Sequence, residues 1–242
     1  MIRHPHDASL VLFDPQDLEA GHVLHSQDVE AGHVLHPQDL EVGWESGRVS
    51  HPLVAEHRAD LRAVVAWARA YLCRPHPELG RRGPVCPYAQ SSLDRRTFLL
   101  AVQPGGGHTV ESLSAALAPY RDWFLDLAPQ GRPAAQSTTI LVLLPGMRDA
   151  RPVIDAAQRE LKDAYVVHGL MIGEFHDGPP DKAGLWNPDF RPLRSPVPML
   201  VIRHMVPTDL PFLISDEAHA AAYRDLFGEQ VPGHLRDLVA KP

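Results

Sequence analysis

The spacing of apolar positions changes period several times along this chain, and each change marks an element. From about Pro52 to Cys73, Leu53, Leu61, Val64, Val65, Ala68 and Leu72 fall on one stripe while Arg58, Asp60, Arg62 and Arg69 lie mostly off it, which predicts an amphipathic helix. Pro75 and Pro77 stop that helix, and RRGPVCPYAQSSLDRR reads as a loop rich in turn residues. Phe98 to Val102 predicts a strand, and PGGGH from Pro104 leads into a helix starting near Thr109, with Val110, Leu113, Leu117, Tyr120, Phe124 and Leu127 as its seam. Thr138 to Leu144 is a second, continuously apolar strand, so Phe98 to Leu144 predicts a β-α-β unit with parallel strands.

A further helix follows, with Asp149 as its expected cap, Pro152 in its first turn and Val153, Ile154, Ala157, Leu161 and Tyr165 on its buried face. Residues 170 to 176 and 197 to 206 are short apolar runs bounded by Pro and Gly, the pattern of buried strands. Ser215 is the expected cap of a helix over about 216 to 227, with Gly228 past its end and a short helix after Pro232. The order α, β-α-β, α, β-β, α, α predicts a mixed α/β domain over 49–242, with about four core strands and helices on at least one face.

The first 48 residues break this pattern. PQDLEAGHVLH, SQDVEAGHVLH and PQDLEVGWESG repeat with period eleven from Pro15, and copies with so few core-sized residues read as a low-complexity tail. The alternative is a metal-collecting tract of His22, His25, His33 and His36. The formal charge of −7 and the lack of a basic cluster argue against nucleic acid as a partner. No charged leader and no apolar run of about 18 residues occurs, so a cytoplasmic protein off the membrane is expected. Two cysteines, Cys73 and Cys86, are too few for a disulfide framework. The expected partner is a small-molecule substrate, and a homodimer stays open.

Chemistry is expected where the last two strands meet their loop. In an extended 170–176 run Glu174 and His176 share a face, and a neighbouring strand brings His204 toward them. Two histidines and a carboxylate form the ligand set of non-heme iron oxygenases; the same groups also suit an acid-base pair with a structural histidine. Arg191, Arg194 and Arg203 offer planar donor forks for a carboxylate or for heme propionates. Cys86, in a C-P-Y tripeptide, reads as a heme thiolate, a nucleophile or a small buried side chain.

In order and spacing, G-P-V-C-P-Y from Gly83, G-L-M-I-G-E-F-H from Gly169 and P-M-L-V-I-R-H from Pro198 resemble the YqcI/YcgG-type family over about residues 55 to 213. R-H-M-V-P-T-D-L-P-F-L also resembles a related actinobacterial group. Tyr88 stands where that family usually has Phe, and the neighbours of His176 differ. The resemblance implies a heme-dependent oxygenase or N-oxygenase acting on a small, polar, amino-acid-like nitrogen compound in natural-product biosynthesis. It carries Cys86, His176 and His204 over, with one histidine as axial ligand and the other on the substrate side. A strand-held imidazole is oriented more firmly than one at a loop edge, so His204 is the favoured iron ligand, with His176 and Glu174 as catalytic residues and Arg191, Arg194 and Arg203 as anchors. The alternatives are non-heme iron at Glu174, His176 and His204, and a non-catalytic accessory binding protein.

Overall fold

The computed structural model describes residues 1–19, 51–228 and 231–235. Two short strands, β1 (Ile2–Arg3) and β2 (Val11–Leu12), pair antiparallel ahead of helix α1 (Pro15–Glu19). Helices α2 (Pro52–Glu56), α3 (Arg58–Trp67) and α4 (Ala89–Asp94) precede strand β3 (Phe98–Val102). Then come α5 (Val110–Leu127), β4 (Thr139–Leu143), α6 (Arg151–Val166), β5 (Leu170–Phe175), β6 (Met199–His204) and α7 (Glu217–Phe227).

The four longer strands form one mixed sheet in the order β3-β4-β6-β5. Strands β3 and β4 are parallel, as the β-α-β reading requires, and β6 inserts antiparallel between β4 and β5. That insertion makes the chain leave β5 and return across the same end of the sheet, through the loop 176–198.

Alternate side chains go to opposite faces. Leu99, Ala101, Ile140, Val142, Leu170, Ile172, Leu200 and Ile202 pack under α5 and α6, joined by Leu113, Leu117, Phe124, Ile154, Leu161 and Tyr165. On the other face Phe98, Leu100, Val102, Leu141, Leu143 and Met199 meet Leu61, Val64, Val65 and Ala68, with Phe13 and Leu18 from the N-terminal segment. The architecture is therefore helices, sheet, helices: a mixed α/β domain.

Several boundaries shift for physical reasons. The helix expected over 52–73 is three pieces: His57 breaks it, and the turn Ala68–Leu72 is π-helical. Asp149 does not cap α6; Ala150 holds that place with no side-chain bond. Asp216, not Ser215, caps α7, accepting from the His219 amide. Thr109 does cap α5, through a reciprocal bond with Ser112.

Residues 1–19 are not a detached tail. Phe13 exchanges backbone hydrogen bonds with Leu100 at 2.7 and 2.8 Å, and Val11, Leu12 and Phe13 are buried. The rest of the repeat, including His22, His25, His33 and His36, lies outside the described residues.

Candidate functional site: an aromatic cleft beside an apolar pocket

The register separates the two histidines that the sequence reading joins. Leu170 pairs with His204, whereas Phe175 pairs with Met199 and His176 follows it. The six-residue offset puts the two imidazoles at opposite ends of the strand pair, about 20 Å apart at ~3.3 Å per residue. They share a face, but it is the packed one.

His204 is buried against Phe124, 5.1 Å between ring centres, and its Nε2 lies 2.7 Å from the Ala128 carbonyl. A carbonyl only accepts, so Nε2 carries the proton. His176 is equally buried, with Nε2 2.9 Å from an Asp155 carboxylate oxygen. The Nδ1 atoms of both rings are buried without partners, yet neither ring lines either of the two cavities described below.

Glu174 is buried and accepts from Lys182 Nζ at 2.6 Å, with Gln158 also bonded to that ammonium. The Glu174, His176, His204 ligand set is thus not assembled. Among the described residues no group of three or more His, Cys, Asp or Glu side chains is placed to hold a metal. An iron ligand must face a space that admits the metal, so His176 and His204 do not fit the heme role either.

The opposite face is less fully covered. Trp67, at the last turn of α3, lies 5.9 Å edge-on to Phe175 and 5.8 Å from the stacked ring of Tyr71. It lines two cavities. The first is an open cleft of about 680 Å³, whose lining includes Trp67, Tyr71, His76, Phe190, Arg191 and Arg194, with Glu78, Asp177 and Asp189 as acidic members. The second, about 90 Å³, is bounded by Leu72, Cys86, Tyr88, Phe98, Leu141, Phe175, Val201 and Arg203 among others.

At about 90 Å³ the small pocket admits a few heavy atoms, far below the ~300–1,000 Å³ of a drug-sized site, so a macrocycle does not fit. The Ser92 hydroxyl, buried and without a partner, lines it and is available to a ligand.

Arg203 borders that pocket, yet both its terminal nitrogens bind Asp209, each at 2.7 Å. Burial works against the guanidinium charge, but the Asp209 carboxylate outweighs it and the pKa is raised. The same carboxylate accepts from the Val206 amide at 2.8 Å, so this pair fixes the turn after β6. Burial pushes the neighbouring Tyr88 phenol up, against the opposing effect of Arg203.

Charges in the open cleft divide into paired and unpaired groups. Arg191 is held by Asp181 at 2.8 Å, and Asp177 by Arg151 at 2.9 and 3.0 Å. The Arg151 hydrogen bonds hold the Asp177 carboxyl below the usual carboxylate range. Arg194 uses only Nε, toward the Asp177 carbonyl at 3.1 Å, so its terminal nitrogens have no partner among the described residues. Glu78 and Asp189 form no ion pair among the described residues.

His76 stacks on Phe190 at 4.8 Å and accepts the Glu78 amide through Nδ1. In its neutral form Nε2 then carries the proton, which suits donation more than metal ligation. Burial pushes the Tyr71 phenol up to about 12, so it stays a donor, bonded to the Pro192 carbonyl at 3.0 Å.

Of the seven residues named from the sequence, Cys86 and Arg203 border the small pocket, Arg191 and Arg194 line the cleft, and Glu174, His176 and His204 line neither. Trp67, Tyr71, His76 and Phe190 were missed. Their signal was present: Trp67 and Tyr71 are an i, i+4 aromatic pair off the apolar stripe.

The glycines of PGGGH hold a loop contact. A Cβ at Gly146, in the turn after β4, would lie 2.6 Å from the Gly105 carbonyl, and one at Gly106 would collide with the Gly146 carbonyl.

This is a mixed α/β domain in which an open cleft and a small apolar pocket meet at Trp67. The chain belongs to the family described as domain of unknown function DUF6875, whose model matches residues 61–238. No curated protein and no solved structure matches it. Among the described residues no helix is long and apolar enough to cross a membrane.

Proposed function

We propose that the protein binds a small zwitterionic, amino-acid-like molecule in the open cleft. The carrying observation is that one wall is aromatic while the unpaired charges lining the cleft have both signs: the terminal nitrogens of Arg194 against Glu78 and Asp189. A guanidinium fork takes a carboxylate, and carboxylates beside Trp67 and Tyr71 suit an ammonium or guanidinium group. The small pocket beyond Trp67 takes a short apolar part of the ligand, with the Ser92 hydroxyl as donor. His76 supplies an imidazole, the side-chain type best suited to proton exchange.

Thermal-shift and calorimetric titration with the common amino acids and their guanidino and hydroxylated derivatives tests this reading. At least one member should bind the wild type, and Arg194→Gln should weaken it about ten- to hundredfold, the ~1.5–3 kcal/mol of a charged hydrogen bond. Trp67→Ala should weaken it comparably. If no zwitterion binds, or if Arg194→Gln binds as well as wild type, the reading fails. A Soret band in the purified protein would replace it with the heme oxygenase expected from the family resemblance.

A further inference from the structure

Cys73 and Cys86 are the chain's only cysteines, and the fold brings them to facing positions. Cys73 follows the π-helical turn Ala68–Leu72. The Cys86 amide donates to the Leu72 carbonyl and the Val85 amide to the Arg74 carbonyl, both at 2.9 Å, while Pro75 and Pro84 form an antiparallel bridge. Cys73 therefore sits between the two accepting carbonyls, opposite the residue that carries one of the donors. Because the Cys86 amide bonds the carbonyl of the residue joined to Cys73, and the two thiols are near enough to interact electrostatically, they are close neighbours, as the ~4.4–6.8 Å Cα span of a disulfide requires. Both thiols are free and half-buried, so a small oxidant can reach them.

We propose that Cys73 and Cys86 form a reversible disulfide that fixes the His76–Glu78 wall of the cleft. The segment between them carries His76 and Glu78, and it already rests on the loop after β5. Asn187 Nδ2 donates to the Glu78 carbonyl at 2.8 Å, and Gly80, at φ 77°, lies so close to Trp186 that a Cβ would be 2.7 Å from its carbonyl oxygen. Closing the base of this segment limits how far that wall moves. Cys86 and Leu72 also line the small pocket, so the bond borders that pocket as well as anchoring the segment that forms the cleft wall.

The oxidant is a low-molecular-weight disulfide such as oxidised glutathione. The Cys86 thiolate attacks one of its sulfurs, the S–S bond breaks, and one glutathione thiolate leaves and takes up a proton. The Cys73 thiol then gives up its proton, and its sulfur attacks Cys86 and expels the second glutathione. Two protein thiols lose two electrons and one glutathione disulfide becomes two thiols. Burial, and then the neighbouring Cys86, push the Cys73 thiol up, so its thiolate forms less readily and its attack depends on the proximity of Cys86.

The test treats the full chain with oxidised glutathione and maps its peptides without reduction. The expected product is one internal link between the peptides holding Cys73 and Cys86, two hydrogens lighter than the thiol form and with no titratable thiol. Dithiothreitol should restore both thiols, and Cys73→Ser should stop with one glutathione on Cys86. Amide exchange across 74–85 should slow severalfold in the oxidised form. Glutathione left on both cysteines, links between chains, or unreacted thiols would overturn the disulfide, and unchanged exchange would overturn the wall-fixing role. The effect on the cleft rests on the ligand reading, whereas the link itself does not. A disulfide that forms in a chain binding no zwitterion supports this inference and sinks only that reading.

Discussion

The two faces of the sheet use the same strands for opposite ends. On the α5/α6 side Ile140, Ile172, Leu200 and Ile202 are nearly inaccessible, and the polar groups among them are tied down: His204 to a carbonyl, His176 to Asp155, Glu174 to Lys182. On the α3 side the cover ends at Trp67, leaving the small pocket and the cleft beside it. Glu174, His176 and His204 therefore lie on the closed face, where they serve packing. The cleft on the α3 side is lined by aromatic rings and by charges of which Arg191 and Asp177 are paired while Arg194, Glu78 and Asp189 are not, among the described residues. A residue's reactivity counts for function only where the neighbouring layer leaves room.

The contrast can be broken at the turn that closes the open face. Asp209→Ala leaves Arg203 and the Val206 amide without their carboxylate, and should lower the free energy of unfolding by about 3 kcal/mol, the low end for breaking a buried ion pair because about a third of the Arg203 side chain stays accessible. Denaturant titration measures it.

Next come adjacent residues of β6, one on each face. Ile202→Ala should cost about 2–5 kcal/mol as a cavity in a closed core, while Val201→Ala, at the pocket, should cost about 1 kcal/mol or less because its surroundings are already open. Equal losses at the two positions would show that the faces are packed alike.

The smallest effect tests the cleft wall. The Tyr71 phenol has a folded-state pKa of about 12, above the ordinary 10 of an unfolded chain, so the unfolded state releases this proton first. Its contribution is complete below pH 10 and is lost as pH rises from 10 toward 12. Tyr71→Phe should remove the hydrogen bond to Pro192, about 1 kcal/mol near neutral pH, and should flatten the alkaline fall in stability. Unfolding curves for both proteins at several pH values measure the difference.

The element order was legible in the sequence because it rests on local periodicity. Seams such as Leu113, Leu117, Tyr120 and Phe124 on α5, or the unbroken run of β4, depend on burial that repeats with the backbone. The parallel β3/β4 pair followed from the long connection between them. The site was less legible because register is a tertiary property. Nothing near His204 in the sequence says that it lies opposite Leu170 instead of His176. Arg191 and Arg194 were singled out for their planar donor forks near the histidine-bearing strands, and both line the cleft. Trp67 and His76 were passed over, one as a helix residue and the other as part of a helix stop, since the cleft they line forms only when 176–198 folds back across the sheet.

The Phe13–Leu100 exchange acts on the sheet's border. Strand β3 is apolar along its whole length and would otherwise offer an unpaired edge, the kind of row that recruits strands from other molecules. By occupying the middle of that row, the first segment of the chain acts as a guard against self-association. Its removal would register in solubility before it registered in ligand binding.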